Sequence, residues 1–182
     1  MSNPIQLHLG CGKRNFGDPW VHIDGGNHPH LVGHDITKLD YEDNVVDLIY
    51  SSHVIEYFDR DEVVPVLKEW YRVLRPNGRI RLAVPNFTML ACMYCDGEIN
   101  LSQVLGPLYG KMPMGDATIY HKTTYDRASL TGLLESVGFH SVYEYDWKTT
   151  THADIDDHSK AYIPHMDFTN GKLISLNMEA RK

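Results

Sequence analysis

Four short apolar runs open the chain, each closing on a glycine, a serine or an acid. They are residues 5–9 before Gly10, 20–24 ending at Asp24, 31–35 ending at Asp35, and 45–50 before Ser51. Runs of this length with turn residues at their ends predict β-strands. A helical period first appears at Val63, Val64, Leu67, Trp70, Tyr71 and Leu74, which predicts a helix over about 60–74. Asp59 can cap it, and Pro76, Asn77 and Gly78 stop it. A fifth strand is expected over about 79–84. Beyond Asn86 the pattern loosens into a methionine-bearing stretch broken by Gly and Pro, so 87–125 is expected to be a lid or insertion. Helix returns over about 126–137, with Asp126 as N-cap, Leu130, Leu133 and Leu134 facing inward, and Gly138 closing it. Strands over about 139–147 and 172–180 finish the chain, joined by a long polar connection over 148–171. Strands alternating with helices predict an α/β fold.

Composition narrows the class. A chain of 182 residues, 42% hydrophobic and 23% charged, is read as a single domain over 1–182 able to bury its own core. No stretch has the length of a membrane span. A net charge of −7 with scattered basic residues argues against a backbone-tracking nucleic-acid site. The one grouping, Arg72, Arg75, Arg79 and Arg81, falls at a helix end and along a strand. Three cysteines do not make a disulfide framework, and Cys92 with Cys95 reads as two helical thiols rather than half of a zinc site. The first strand begins at once, without room for a targeting segment, so a cytoplasmic location is expected. No feature specifies an oligomeric state.

The chemistry gathers at strand ends. Gly10, Cys11 and Gly12 form a glycine turn directly after the first strand, where backbone can approach a ligand closely. By itself a GxG is also a plain turn. A dinucleotide site is disfavoured: Asn15 stands where the third glycine belongs, and Gly12 to Asp24 is shorter than that fingerprint requires. With Gly17 and Pro19 inside that interval, the first crossover helix must shrink to a turn. In open α/β sheets, ligands lie outside the carboxyl ends of the strands, and the glycine turn, Asp24, Asp35 and the SSHVIEY segment (51–57) all fall there.

In order, LHLGCG (7–12), VHID ending at Asp24, GHDI carrying Asp35, VVDLIYSSHVIEY (45–57) and RVLRPNGRIRLAVPN (72–86) resemble the class I S-adenosylmethionine-dependent methyltransferases, particularly the small methyltransferase 11 type. The resemblance covers the first half of the chain. It implies a Rossmann-like, mostly parallel seven-stranded sheet with an antiparallel last strand, S-adenosylmethionine as cofactor and S-adenosylhomocysteine as product. It sets Gly10, Cys11 and Gly12 against the cofactor's carboxylate and ribose, and gives Asp24 the ribose hydroxyls. Asp35 would take the adenine amino group and Ile36 the ring, while Ser52 and His53 would meet the methionine portion. Asn86 would face the acceptor. Plainer roles stay open: a turn acid for Asp24, the cap of a turn at 36–40 for Asp35, an Asx turn for Asn86. The chain departs from the family in three ways. His8 replaces an acid, the first crossover is short, and no helices precede the first strand, so 87–125 is expected to cover the cofactor.

A methyl acceptor that carries a proton calls for a base, and His53, Tyr57 and His121 are the candidates. Tyr57 could equally be a core aromatic, and His121 a loop residue near Asp126. The cluster His152, Asp154, Asp156, Asp157, His158 and His165 lacks metal-ligand spacing and reads as a solvated surface, and His28, His30 and His34 around the third strand are expected to pack or lie on the surface rather than to ligate a metal. No metal site is assigned. The expectation is a methyltransferase acting on a small-molecule or sugar-like acceptor. Its rivals are a non-catalytic S-adenosylmethionine-binding module, acting as sensor or partner subunit, and a metal-dependent hydrolase built on the 152–165 cluster.

Overall fold

A computed structural model describes residues 4–182. Its strands and helices follow the chain as β1 (Gln6–Leu9), β2 (Trp20–Ile23), β3 (Leu31–Gly33), β4 (Val46–Ser52), α1 (Val63–Val73), β5 (Leu74–Pro85), α2 (Phe87–Cys95), α3 (Leu101–Tyr109), β6 (Met112–Met114), β7 (Ala117–Ile119), α4 (Arg127–Val137), β8 (His140–Glu144), β9 (Tyr162–Ile163), β10 (Lys172–Leu173) and β11 (Ser175–Arg181). Seven of these strands form one sheet in the order β3-β2-β1-β4-β5-β11-β8. β1 through β5 pair in parallel, and β11 runs antiparallel to both of its neighbours. The expected last antiparallel strand is present, inserted between β5 and β8.

Register divides the side chains into two unlike faces, since successive residues of a strand point to opposite sides. Leu7, Leu9, Ile49, Ile80, Leu82, Val84, Leu176 and Met178 lie on one side and pack in a single apolar core with Val66, Leu67 and Trp70 of α1 and Leu130 and Leu134 of α4. The helices form where expected. Asp126 accepts from the Ser129 amide at 2.7 Å to cap α4, and Gly138 closes it in the left-handed conformation. Asp59 accepts from the amides of Asp61 and Glu62 just ahead of α1. Pro76, Asn77 and Gly78 do more than stop a helix. They sit inside β5, where the pairing to β4 jumps from Leu74 to Arg79, so β5 begins five residues earlier than the pattern predicts. Asn77 at φ +64° supplies that irregularity.

The opposite face carries His8, Trp20, His22, Leu48, Tyr50, Arg81, Asn177 and Glu179. Turns alone join β1 to β2, β2 to β3 and β3 to β4, so among the described residues no crossover helix covers this side. The shrunken first crossover is as expected. Residues 145–161, between β8 and β9, cover the face instead. His152 stacks on Phe16 with ring centroids 4.2 Å apart, and Phe16 stacks on His8 at 4.0 Å. Asp157 accepts from the Tyr50 hydroxyl, and Asn177 Nδ2 donates to the Ser159 carbonyl at 2.8 Å. The solvated-surface reading of this connection is therefore corrected. His152 and Asp157 are buried together with Ser159 and Lys160, while Asp154, Asp156 and His165 stay exposed. A sheet face lacking helices must still lose its aromatic surface to something, and this segment removes it from water.

The stretch 87–125 consists of α2, α3 and the β6–β7 hairpin. Asn86 caps α2 by accepting from the Met89 amide at 3.1 Å, which is the plainer of its two expected roles. Cys92 and Cys95 lie on α2 with exposed free thiols.

Candidate functional site

The carboxyl ends of β1, β2 and β4 open into a cleft of about 1360 Å³, roofed by the end of α3 and the β6–β7 hairpin. Pockets for one drug-sized ligand run to roughly 1,000 Å³. The cleft has room for a nucleoside-sized molecule and a second, smaller one. Gly10, Gly12, Asp24, Ile36, Ser52, His53, Tyr57 and His121 all border it. The hairpin closes over the glycine end, bringing Met114 to 3.8 Å from where a side chain on Gly25 would begin.

At that end the backbone is built for close approach. Gly10 and Gly12 have φ of +71° and +55°. A Cβ on Gly10 would lie 2.2 Å from Val54 Cγ2, whereas one on Gly12 would meet no protein atom within 4 Å. Asp24 is held by the turn it faces. Its Oδ2 accepts from the Gly12 amide and its Oδ1 from the Gly26 amide, both at 2.7 Å. Each carboxylate oxygen keeps a lone pair for a ligand hydroxyl. Cys11 is buried beneath the turn and does not border the cleft. Burial, with the Asp24 carboxylate beside it, pushes its thiol up to about 12. Asp35 lies outside the lining. It is exposed, and its Oδ1 accepts from the amide and hydroxyl of Thr37 at 2.8 and 2.6 Å, so it makes the turn its plainer reading describes. Ile36 and Thr37 instead reach the cleft wall. His8 is buried in its aromatic stack on the covered face, away from the cleft.

The other end carries the titratable groups. Ser52 Oγ is buried there without a hydrogen-bond partner. His53 follows it at φ +55°, a left-handed conformation that costs a non-glycine residue energy and is met mostly where function holds it. The fold ties it down: its amide donates to the Ala83 carbonyl at 2.8 Å, and Nε2 lies 3.3 Å from Ser175 Oγ. His121 rests edge-on against Tyr57, with centroids 4.6 Å apart, and its Nδ1 is 3.0 Å from the Pro107 carbonyl. Burial lowers the pKa of both imidazoles below its ordinary value, so both are neutral at pH 7.

Two groups escaped the sequence, and a third was read there as solvated surface. Glu56 is fully buried between the two histidines. His53 Nδ1 is 3.4 Å and His121 Nε2 3.9 Å from the same oxygen, Oε1. Burial pushes its carboxyl up to about 8. The signal for it was an acid flanked by Ile55 and Tyr57 in an otherwise apolar run after a strand. Tyr125, whose hydroxyl is buried and unpartnered, is the second. His158 is the third: the 145–161 segment brings it to the cleft, 5.1 Å from the His53 ring. Arg14 ties the same segment to the glycine turn by donating to the Asp156 carbonyl at 2.8 Å. No three His, Cys, Asp or Glu side chains among the described residues are arranged to hold a metal ion.

Comparison with known proteins adds to this picture. A family model described as a methyltransferase domain matches residues 13–82. No curated protein matches the chain. Among solved structures, an S-adenosylmethionine-dependent methyltransferase from Archaeoglobus fulgidus superimposes with a TM-score of 0.59 at 17% identity, covering 98% of this chain and 86% of that one. The 1,6-didemethyltoxoflavin-N1-methyltransferase of Burkholderia thailandensis, solved with 1,6-didemethyltoxoflavin and S-adenosylhomocysteine, gives 0.58 at 16% identity over 98% of this chain and 71% of that one. A Haloferax volcanii structure of a complex with the Trm112 methyltransferase activator gives 0.56 at 16% identity, covering 98% and 82%.

Proposed function

We infer, from a chain with the fold of the class I S-adenosylmethionine-dependent methyltransferases, that it binds S-adenosylmethionine in this cleft and passes the methyl group to a small-molecule or sugar-like acceptor. The observation that carries the inference is Asp24, fixed by the Gly12 and Gly26 amides at the lip of the cleft with lone pairs to spare. A carboxylate so held is oriented before a ribose arrives, and an oriented acceptor loses less entropy on binding. Gly10 and Gly12 would lie along the methionine and ribose, Ile36 against the adenine, and Ser52 and His53 beside the methionine portion. Asp35, committed to Thr37 by one oxygen, would contribute its remaining one from the rim.

When bound, S-adenosylmethionine supplies a methyl on a sulfonium that becomes a neutral thioether. This end of the chemistry needs alignment and exclusion of water more than a protein nucleophile. The β6–β7 hairpin and α3, which border the cleft, would provide the cover proposed for 87–125. His53, Tyr57 and His121 stand at the end left for the acceptor, where a neutral imidazole can receive a proton. The whole chain serves as one domain on this view. Its unpaired thiols, two of them exposed, suit a reducing, cytoplasmic setting. No helix of the described residues is long and apolar enough to cross a membrane.

Calorimetric titration with S-adenosylmethionine and S-adenosylhomocysteine tests this. Native protein should bind both. Asp24→Ala should lose about 3 kcal/mol, on the order of 100-fold, from two charge-assisted hydrogen bonds to the ribose. A folded native protein that binds neither compound refutes the proposal. Binding with no transfer to any acceptor would instead favour the sensor reading.

A further inference from the structure

We propose that Glu56 is a positioning residue that shares, with His53 and His121, the proton a methyl acceptor gives up. This rests on the methyltransferase reading above, and it implies an acceptor that carries a hydroxyl or an N–H rather than a bare thioether.

The hydrogen bonds assign which ring nitrogens are bare. Asn177 Nδ2 donates to the Ser159 carbonyl, which leaves Asn177 Oδ1 to accept from the Ser175 hydroxyl at 2.9 Å. With its hydrogen so placed, Ser175 Oγ can only accept from His53, so His53 carries its proton on Nε2. His53 Nδ1 is then bare, and it lies 3.4 Å from Glu56 Oε1. In His121 the Pro107 carbonyl must accept from Nδ1–H, so Nε2 is bare, and it lies 3.9 Å from the same Oε1. Two bare imidazole nitrogens therefore lie within 4 Å of one carboxyl oxygen. Neither oxygen of Glu56 has any hydrogen-bond partner. Such an array of acceptors is stable only with a proton among its members, since an unpartnered buried carboxylate is costly.

The groups facing Glu56 are His53 from the turn after β4, Tyr57 beside it, and His121 and Tyr125 from the segment between β7 and α4. Behind His53 come His158 and, farther off, Arg14. Among the described residues no lysine or arginine pairs with the carboxyl, and the charged form of either imidazole is what would face it. Once the centre has released its own proton to solvent, Glu56 is ionised and the centre can take one proton. As the acceptor's lone pair forms its bond to the methyl carbon and the carbon–sulfur pair returns to sulfur, the acceptor's proton goes to the bare nitrogen of His53 or His121. The imidazolium then faces the Glu56 carboxylate. The positive charge lost at sulfur reappears beside a negative one, and the cleft's net charge is unchanged.

The test is a titration of ¹⁵N-labelled histidine in the S-adenosylhomocysteine-bound protein by NMR, followed from about pH 6 to about pH 10. In native protein His53 and His121 should shift together in one step as the shared proton leaves, near the value to which burial raises Glu56. Glu56→Gln, the same shape without a removable proton, should abolish the step while leaving the affinity for S-adenosylhomocysteine within about threefold. Glu56→Asp should retain a step. An unchanged step in Glu56→Gln overturns the proposal, and so does a native protein without one, which settles the matter even if the variant does not fold. Failure of native protein to bind S-adenosylhomocysteine refutes the cofactor reading instead, and the step can still be sought in the free protein.

Discussion

Replacing Gly10 and Gly12 one at a time by alanine separates packing from ligand approach in the glycine turn. Both residues have positive φ, so alanine at either costs about 1–2 kcal/mol of conformational energy. At Gly10 there is a second cost. The new Cβ falls 2.2 Å from Val54 Cγ2 and 3.0 Å from Cγ1, so the two segments must move apart by an ångström or more. Overpacking of that kind costs about 1–3 kcal/mol, making Gly10→Ala about 2–5 kcal/mol in all. Gly12→Ala meets open space and should cost only the conformational part. Urea unfolding of both variants, with Val54→Ala and the Gly10→Ala/Val54→Ala pair completing a double-mutant cycle, measures each share. Val54→Ala removes both crowding methyls, so the pair should recover most of the packing cost and none of the conformational one. The affinity for S-adenosylhomocysteine should fall most in Gly12→Ala, whose methyl projects where the ligand would lie. Equal destabilisation by the two alanines, or a cycle with no coupling, would refute the packing account of the turn.

His152→Phe should stabilise the protein in mild acid. The imidazole takes up a proton below about pH 6.5 in the unfolded chain, but burial depresses its pKa to about 4 in the fold. Stability present above pH 6.5 is therefore lost as pH falls toward 4, by about 2 kcal/mol at pH 5. Phenylalanine keeps the stack on Phe16 without that loss, so thermal melts of the variant and the native protein should diverge between about pH 7 and pH 5 and run parallel above. Asn86→Ala should lower stability by about 1 kcal/mol through the lost cap of α2, read by urea unfolding, and leave S-adenosylhomocysteine binding intact.

The order of strands and helices was written in local pattern. Apolar runs ending at Gly10, Asp24, Asp35 and Ser51, the helical period from Val63, and the Asp126 and Gly138 caps are preferences of neighbouring residues, and the fold obeys them. The residues at the glycine end of the cleft were legible for the same reason, because strand ends carry their glycines and acids within a few residues of one another. Three outcomes depended on the tertiary structure alone. Residues 145–161 look like a solvated loop because their acids and histidines lie close in sequence, yet Phe16, Tyr50 and Asn177, far away along the chain, take them into the interior. That Ile36 and Thr37 border the cleft while Asp35 does not followed only from how the cleft walls assemble. Glu56 showed in sequence only as an acid in an apolar run, and its neighbour His121, sixty-five positions on, was brought to it by the fold. Sequence determines what each segment prefers to form. Which segments bury one another, and so which charges lose their water, is decided only when the chain closes on itself.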